Sequence, residues 1–304
     1  MRATPWPTNL WPENVPHNVD GYDIPLFAAL DNAVRDYPEQ IFTIYNEDSN
    51  TYAEVGQAAA RVAMFLASSG VKKGDRIAVC LPNTPAFPVV FFGIIKAGAV
   101  CVSCNPFYTS PELHYQLNDA GATVIFCMED EKQYSKTLEA VKNTAVKTVV
   151  ACSDNLAQQQ SQAKEDGNAP LPEDLATSGR LCLGRILASC RPEPPEIAID
   201  PFEDPALIIY TAGTTGMPKG AALTHSNLTY NLRALEEYAR MEHEPGLGAE
   251  PLRKGGFHTY AGVIPWYQSF GLTVCMLAAC WSASRLICIA DPRTGDPPFT
   301  ELSS

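Results

Sequence analysis

Residues 76–103 read RIAVCLPNTPAFPVVFFGIIKAGAVCVS, and this alternation of short and long apolar runs decides the fold. Residues 76–81 have the length and unbroken apolar character of a strand buried on both faces, and residues 99–103 repeat it. Residues 85–96 between them are too long for such a strand and read as a helix. The helix returns the chain to the end where the first strand began, so the two strands lie side by side and parallel.

The pattern extends outward in both directions. Upstream, Val55, Ala59, Val62, Ala63 and Leu66 share one helix face, and Gly70 supplies a residue that can take the left-handed conformation at the helix end. Lys73-Gly-Asp75 then turns the chain. Downstream, Ser110-Pro111-Glu112 predicts a helix start with Ser110 as cap and Pro111 in the first position, and Gly121 predicts its end. Residues 122–127 and 147–152 read as further strands around a helix near 134–141. The expectation is an α/β fold of doubly wound, mainly parallel sheets.

Four regions follow from the composition. Residues 1–50 hold an N-terminal extension and first strands, and 51–152 the first α/β subdomain. Residues 153–205 form a polar loop, rich in glutamine near 158–160, and the proline-rich linker Arg191-Pro-Glu-Pro-Pro195. Residues 206–304 begin a second α/β subdomain, opening on the buried strand Ala206-Leu-Ile-Ile-Tyr210.

With 34 acidic against 22 basic residues and a net charge of -12, the chain lacks the basic balance that nucleic-acid binding needs, so no nucleic-acid partner is expected. The ten cysteines are scattered, several within apolar runs, which points to a reducing intracellular compartment such as the cytoplasm. Cys101 and Cys104 form a CxxC in a strand-like setting with no second pair at zinc spacing, and packing is the expectation. No signal peptide and no transmembrane segment are expected: the richest apolar run, 261–290, contains Pro265, Gln268 and Arg285. Peripheral membrane contact stays open. So does a peroxisomal location: Glu301-Leu-Ser-Ser304 matches no peroxisomal tripeptide, but that mismatch counts only if these residues are the native end. Oligomeric state is not legible.

Chemistry concentrates in Thr211-Ala-Gly-Thr-Thr-Gly-Met-Pro-Lys-Gly220, directly after the strand at 206–210. Glycines let backbone N–H groups approach a ligand, threonine hydroxyls add donors and Lys219 adds a positive charge, so the guest is a polyphosphate. A plain flexible glycine turn has the same composition. The stretch departs from the Walker A pattern, because Met217 and Pro218 separate Gly216 from Lys219 and Gly220 follows the lysine. Residues 221–223 read as another short strand, and Thr224-His-Ser-Asn227 caps a helix running to Arg240.

Residues 210–220, with Leu223-Thr-His-Ser-Asn-Leu228 behind them, closely resemble the signature of the adenylate-forming superfamily of acyl-CoA synthetases, peptide-synthetase adenylation domains and luciferases. Ala212 departs from the small hydroxyl residue or glycine that is common there, at the loss of one donor at most. Thr51-Tyr-Ala-Glu54, Leu81-Pro-Asn83 and Lys96-Ala-Gly98 resemble the superfamily's early motifs. Asn105-Pro-Phe-Tyr-Thr109, Glu112-Leu113 and Gln116-Leu-Asn-Asp119 look most like long-chain fatty acyl-CoA ligases. Pro265-Trp-Tyr-Gln-Ser-Phe-Gly271 occupies the place of a motif bordering the acyl and adenylate sites, with Gln268 where histidine is usual. Glutamine cannot carry a proton charge there, and a buried turn with Tyr267 in a core is the structural alternative.

The resemblance implies the large N-terminal domain of such an enzyme, incomplete, with ATP, Mg2+ and CoA as ligands and a carboxylic acid, foremost a long-chain fatty acid, as substrate. It implies phosphate binding by Thr211, Ala212, Gly213, Thr214, Thr215, Gly216 and Lys219, contact of Thr211 with Mg2+, and a site border at Tyr267, Gln268 and Gly271. The superfamily's catalytic lysine belongs to a C-terminal lid domain that these residues do not contain, so no catalytic residue is assigned. Thr294-Gly-Asp296 spells the ribose-binding motif but follows the loop too soon to serve as it. Two alternatives stand beside the ligase: a truncated homologue that binds nucleotide or acyl ligand without turnover or acts as a regulatory partner, and an enzyme acting on aryl or amino acids.

Overall fold

The computed structural model describes residues 18–154, 181–211, 217–239 and 258–291. After helix α1 (Ala28–Asp36), strands β1 (Ile41–Tyr45) and β2 (Asp48–Thr51) form a hairpin that leads into α2 (Tyr52–Ser68). The winding then runs β3 (Arg76–Cys80), α3 (Ala86–Lys96), β4 (Val100–Ser103), α4 (Ser110–Ala120), β5 (Val124–Met128), α5 (Glu131–Ala140), β6 (Thr148–Cys152). Beyond it come β7 (Leu181–Cys182), α6 (Leu183–Ser189), β8 (Pro205–Thr211), β9 (Lys219–Thr224) and α7 (His225–Ala239). The last described elements are β10 (Thr259–Gly262), a π-helix (Gly271–Leu277) that continues into α8 (Ala278–Trp281), and β11 (Arg285–Cys288).

A seven-stranded sheet has the order β7-β6-β5-β3-β4-β8-β9, parallel except for β9 against β8. Its faces follow from simple alternation. Ile77, Val79, Cys101, Phe126, Leu207 and Ile209 point into one core, shared with α2 and α3. Ala78, Cys80, Val102, Ile125 and Cys127 point into the other, closed by Leu113 and Leu117 of α4 and Ala140 of α5. A four-stranded sheet, β10-β11-β1-β2, packs on the far side of α2 and α3. The doubly wound expectation is thus met, with both faces of the larger sheet covered.

Three local expectations are corrected. Thr109, not Ser110, caps α4: Glu112 stands three residues after Thr109 and accepts its backbone N–H at 2.7 Å, completing a capping box that Ser110 cannot form. Strands β8 and β9 do not open a separate unit at residue 206, because β8 pairs with β4 and buries Leu207 and Ile209 in the existing core; the second sheet is built from the first fifty residues together with β10 and β11. The linker region 153–205 also contains β7 and α6, whose two and seven residues are too few to show a period. Gly121 ends α4 with φ +61°, as expected of a left-handed helix terminus. The helix at 225–239 starts on schedule, while Arg240 and most of the polar loop lie outside the described residues.

Candidate functional site

Strand order places the site before any side chain is considered. From β3 the chain crosses through α3 on one face to β4; from β4 it crosses through α4 on the opposite face to β5, on the other side of β3. The connections diverge at the carboxyl ends of β3 and β4, and such a switch point leaves a crevice for a ligand. A cleft of about 180 Å3 opens there, lined by Asn83 after β3, Phe107 after β4, Ile289, Ala290 and Asp291 after β11, and Val263, Pro265 and Tyr267.

The cleft's long wall, residues 262–271, is held from below. Asn83, buried just before α3, donates through Nδ2 to the carbonyls of Gly262 at 2.7 Å and Ile264 at 2.9 Å, and its Oδ1 accepts the Trp266 N–H at 2.8 Å. Trp266, wholly buried, meets Phe87 of α3 edge-on with centroids 5.8 Å apart. Ser103 at the end of β4 donates to the Tyr267 carbonyl at 3.2 Å, and the Phe107 and Tyr267 rings meet at 6.4 Å. Gly271 opens the π-helix against the Pro265 turn so closely that an added Cβ would lie 2.2 Å from the Pro265 carbonyl oxygen. Tyr267 therefore lines the cleft, Gly271 is buried behind it, and Gln268 projects from the wall as an exposed residue.

The phosphate-loop residues flank a hairpin at the carboxyl end of β8. Thr211 closes β8 and pairs in register with Lys219, the first residue of β9; both are exposed. Ala212, Gly213, Thr214, Thr215 and Gly216 lie outside the described residues. Among the described residues no carboxylate pairs with Lys219, which leaves its ammonium free to meet an anion. Helix α4 grips both legs of the hairpin. The Tyr210 phenol donates to Asp119 at 2.6 Å before the loop, and the Tyr115 phenol donates to the Pro218 carbonyl at 3.0 Å after it. Burial, then the hydrogen bond and charge of Asp119, raise the Tyr210 pKa well above that of a free phenol. On the same helix, buried Gln116 donates to the Ser103 carbonyl at 2.8 Å, so α4 touches the hairpin through one residue and, through the next, the end of β4 that in turn holds the cleft wall.

Behind the hairpin, His225 begins α7. It is buried, its Nδ1 accepts the Leu26 N–H at 3.0 Å, and burial lowers its pKa from 6.5 to about 4, with Asp204 pulling the other way. Cys101 and Cys104, the CxxC pair, are both fully buried and face opposite cores, as the packing reading expects, and burial pushes both thiols up. Among the described residues no helix is long and apolar enough to cross a membrane; the run 261–290 breaks into a strand end, the π-helix with α8, and β11.

This arrangement carries its own comparison with known proteins. The family model for AMP-binding enzymes matches residues 30–302. The chain belongs to the AMP-binding enzyme family. It is 30% identical over 283 residues to a long-chain-fatty-acid–CoA ligase of Bacillus subtilis, covering 90% of this chain and 47% of that protein. It is 32% identical over 219 residues to a feruloyl-CoA synthase of an Amycolatopsis species, covering 69% of this chain and 35% of that protein. The fold matches a solved long-chain-fatty-acid-CoA ligase from Archaeoglobus fulgidus with TM-score 0.71 at 22% identity, over 93% of this chain and 50% of that one. The chain spans about half the length of the long-chain-fatty-acid–CoA ligases it matches and about a third of the feruloyl-CoA synthase.

Leu81-Pro-Asn83 and Gln116-Leu-Asn-Asp119 stand in the sequence as motifs with no role legible from the residues alone. The structure gives Asn83, Gln116 and Asp119 their partners, and Tyr115, unremarked in the sequence, joins them. The only local signal was polarity: Asn83 and Gln116 are amides beside apolar residues, and a buried amide needs hydrogen-bond partners.

Proposed function

We propose that this chain supplies the phosphate- and acid-binding part of an ATP-dependent acid–thiol ligase acting on a long-chain fatty acid. One observation carries the reading: α4 joins an anion-binding hairpin to an apolar-walled cleft, through Tyr115 to Pro218 and through Gln116 and Ser103 to Tyr267. A polyphosphate at the hairpin and a carboxylic acid in the cleft would face each other across the carboxyl edge of the sheet. The acid's carboxylate oxygen attacks the α-phosphorus, the bond between α- and β-phosphates breaks, and pyrophosphate leaves; the thiol of CoA then attacks the acyl carbon and releases AMP. The loop's N–H groups, the hydroxyls of Thr211, Thr214 and Thr215, and Lys219 would hold the β- and γ-phosphates and neutralise charge on the leaving pyrophosphate.

A magnesium ion fits this donor set. Mg2+ takes few protein ligands when it bridges phosphates, and the exposed Thr211 hydroxyl at the strand end would supply one. The ion would add charge neutralisation on the phosphates. Phe107 and Tyr267 would orient the acid and exclude water from its carboxylate.

The feruloyl-CoA synthase relative favours a second reading, in which the cleft accepts an aromatic acid against Phe107 and Tyr267. Exchange of labelled pyrophosphate into ATP, dependent on palmitate or on ferulate, tests both. Palmitate-dependent exchange supports the first reading and ferulate-dependent exchange the second. A folded chain that binds MgATP yet exchanges with neither acid is a portion of a longer ligase or a nucleotide-binding homologue without turnover.

A further inference from the structure

We infer that Asn83 is a positioning residue that sets the acid-binding wall of the cleft, and this rests on the proposed function. Its side chain is 3% exposed, and its amide nitrogen and amide oxygen both bond to one short segment. Both Nδ2 hydrogens go to carbonyls, and Oδ1 takes an N–H. The reversed amide would face oxygen against two carbonyls and N–H against N–H, so the orientation is fixed by its partners.

The partners are spaced with a period of two. The backbone of residues 262, 264 and 266 is tied to Asn83, and the intervening residues Val263, Pro265 and Tyr267 line the cleft. Asn83 thus fixes the backbone whose alternate side chains meet the ligand. The tie spans 179 to 183 residues and joins the end of β3 in the seven-stranded sheet to the end of β10 in the four-stranded sheet. The β10–β11 pairing at Gly262, the packing of Trp266 on Phe87 and the Ser103 bond to Tyr267 support the same wall, and among these residues Asn83 is the side chain that ties three of its backbone groups at once. Removing the amide orphans two carbonyls and an N–H in the interior, and an unmade buried hydrogen bond is what moves a backbone segment.

Asn83→Asp is the decisive variant, since it keeps size and the acceptor for Trp266 while setting a carboxylate against the Gly262 and Ile264 carbonyls. In palmitate-dependent pyrophosphate exchange, its KM for palmitate is expected to rise about tenfold or more while its KM for MgATP stays within about twofold, because a displaced wall misplaces only the acid. Equal changes in both constants, or none, would overturn the inference. Hydrogen exchange, read without any ligand, gives an independent decision: peptides covering 259–271 should exchange about tenfold faster in Asn83→Asp, with those covering β3 to β6 unchanged. Unchanged exchange at 259–271 overturns the inference even if activity falls. Asn83→Ser, smaller and uncharged, is measured beside it in case the carboxylate prevents folding. If the unsubstituted chain shows no acid-dependent exchange, adenylation by these residues alone fails, and hydrogen exchange alone then decides the role of Asn83.

Discussion

The phosphate hairpin and the cleft wall sit on the same edge of the fold and are held in opposite ways. The hairpin stands at the sheet's edge, joined to the body through the pairing of β8 with β4; β9 is exposed along most of its length, and the tip is tied to α4 by two phenol hydrogen bonds. The wall at 262–271 is anchored by one buried amide, a buried tryptophan and a glycine against a carbonyl. A loop that binds polyphosphate needs its donors in solvent until the anion arrives, whereas a wall that orients an acid needs a fixed shape. The difference predicts that hairpin substitutions change chemistry and leave stability alone, and that wall substitutions change both.

The largest expected effect is Lys219→Ala. Losing the cation on the leaving pyrophosphate should lower pyrophosphate exchange at least about 100-fold, while the melting temperature moves by no more than about 1 °C because the side chain is exposed. A large loss of stability would break the contrast with the wall.

Next in size is acid pH, which reads the buried support beneath the hairpin. Unfolded His225 protonates with its ordinary pKa of 6.5, whereas in the fold burial lowers it to about 4, so the unfolded chain takes up the proton first. The stability contribution is complete above pH 6.5 and falls by up to about 3 kcal/mol as pH drops to 4. Urea unfolding across that window should show the loss, and His225→Gln, which can still accept the Leu26 N–H, should flatten it.

Gly271→Ala follows. Its Cβ would press on the Pro265 and Ile264 carbonyl oxygens at 2.2 and 2.7 Å, and overpacking of this kind costs about 2 kcal/mol. Thermal unfolding should record that loss together with a raised KM for the acid; stability equal to the parent's would mean the wall yields as the hairpin does. The smallest effect is Asp119→Asn. One exposed hydrogen bond to Tyr210 weakens, costing under about 1 kcal/mol, and the KM for MgATP should rise about two- to threefold with the KM for the acid unchanged.

The two regions also differ in how far they could be read in advance. The proposed chemistry of the hairpin is local: glycine, threonine and lysine within ten residues after an apolar strand suggest an anion site without tertiary information. The wall's chemistry is not. Tyr267 and Gly271 were legible as a motif, but Gln268 beside them turns outward, and nothing within ten residues of Asn83 indicates a partner at Gly262. The cap of α4 missed by one residue because Thr109 and Ser110 are both good caps, and only the reach of Glu112 chooses between them.

By itself the sequence determined the parallel α/β winding from residue 76 to 152 and the two faces of each strand, because these depend on periodicity along the chain. Tertiary structure alone decided that β8 joins β4 and that β1 pairs with β11. It alone gave Asn83 and α4 their grip on the cleft wall and the hairpin. Those choices pair groups a hundred or more residues apart, and buried hydrogen bonds and apolar faces find their partners only when the whole chain is packed.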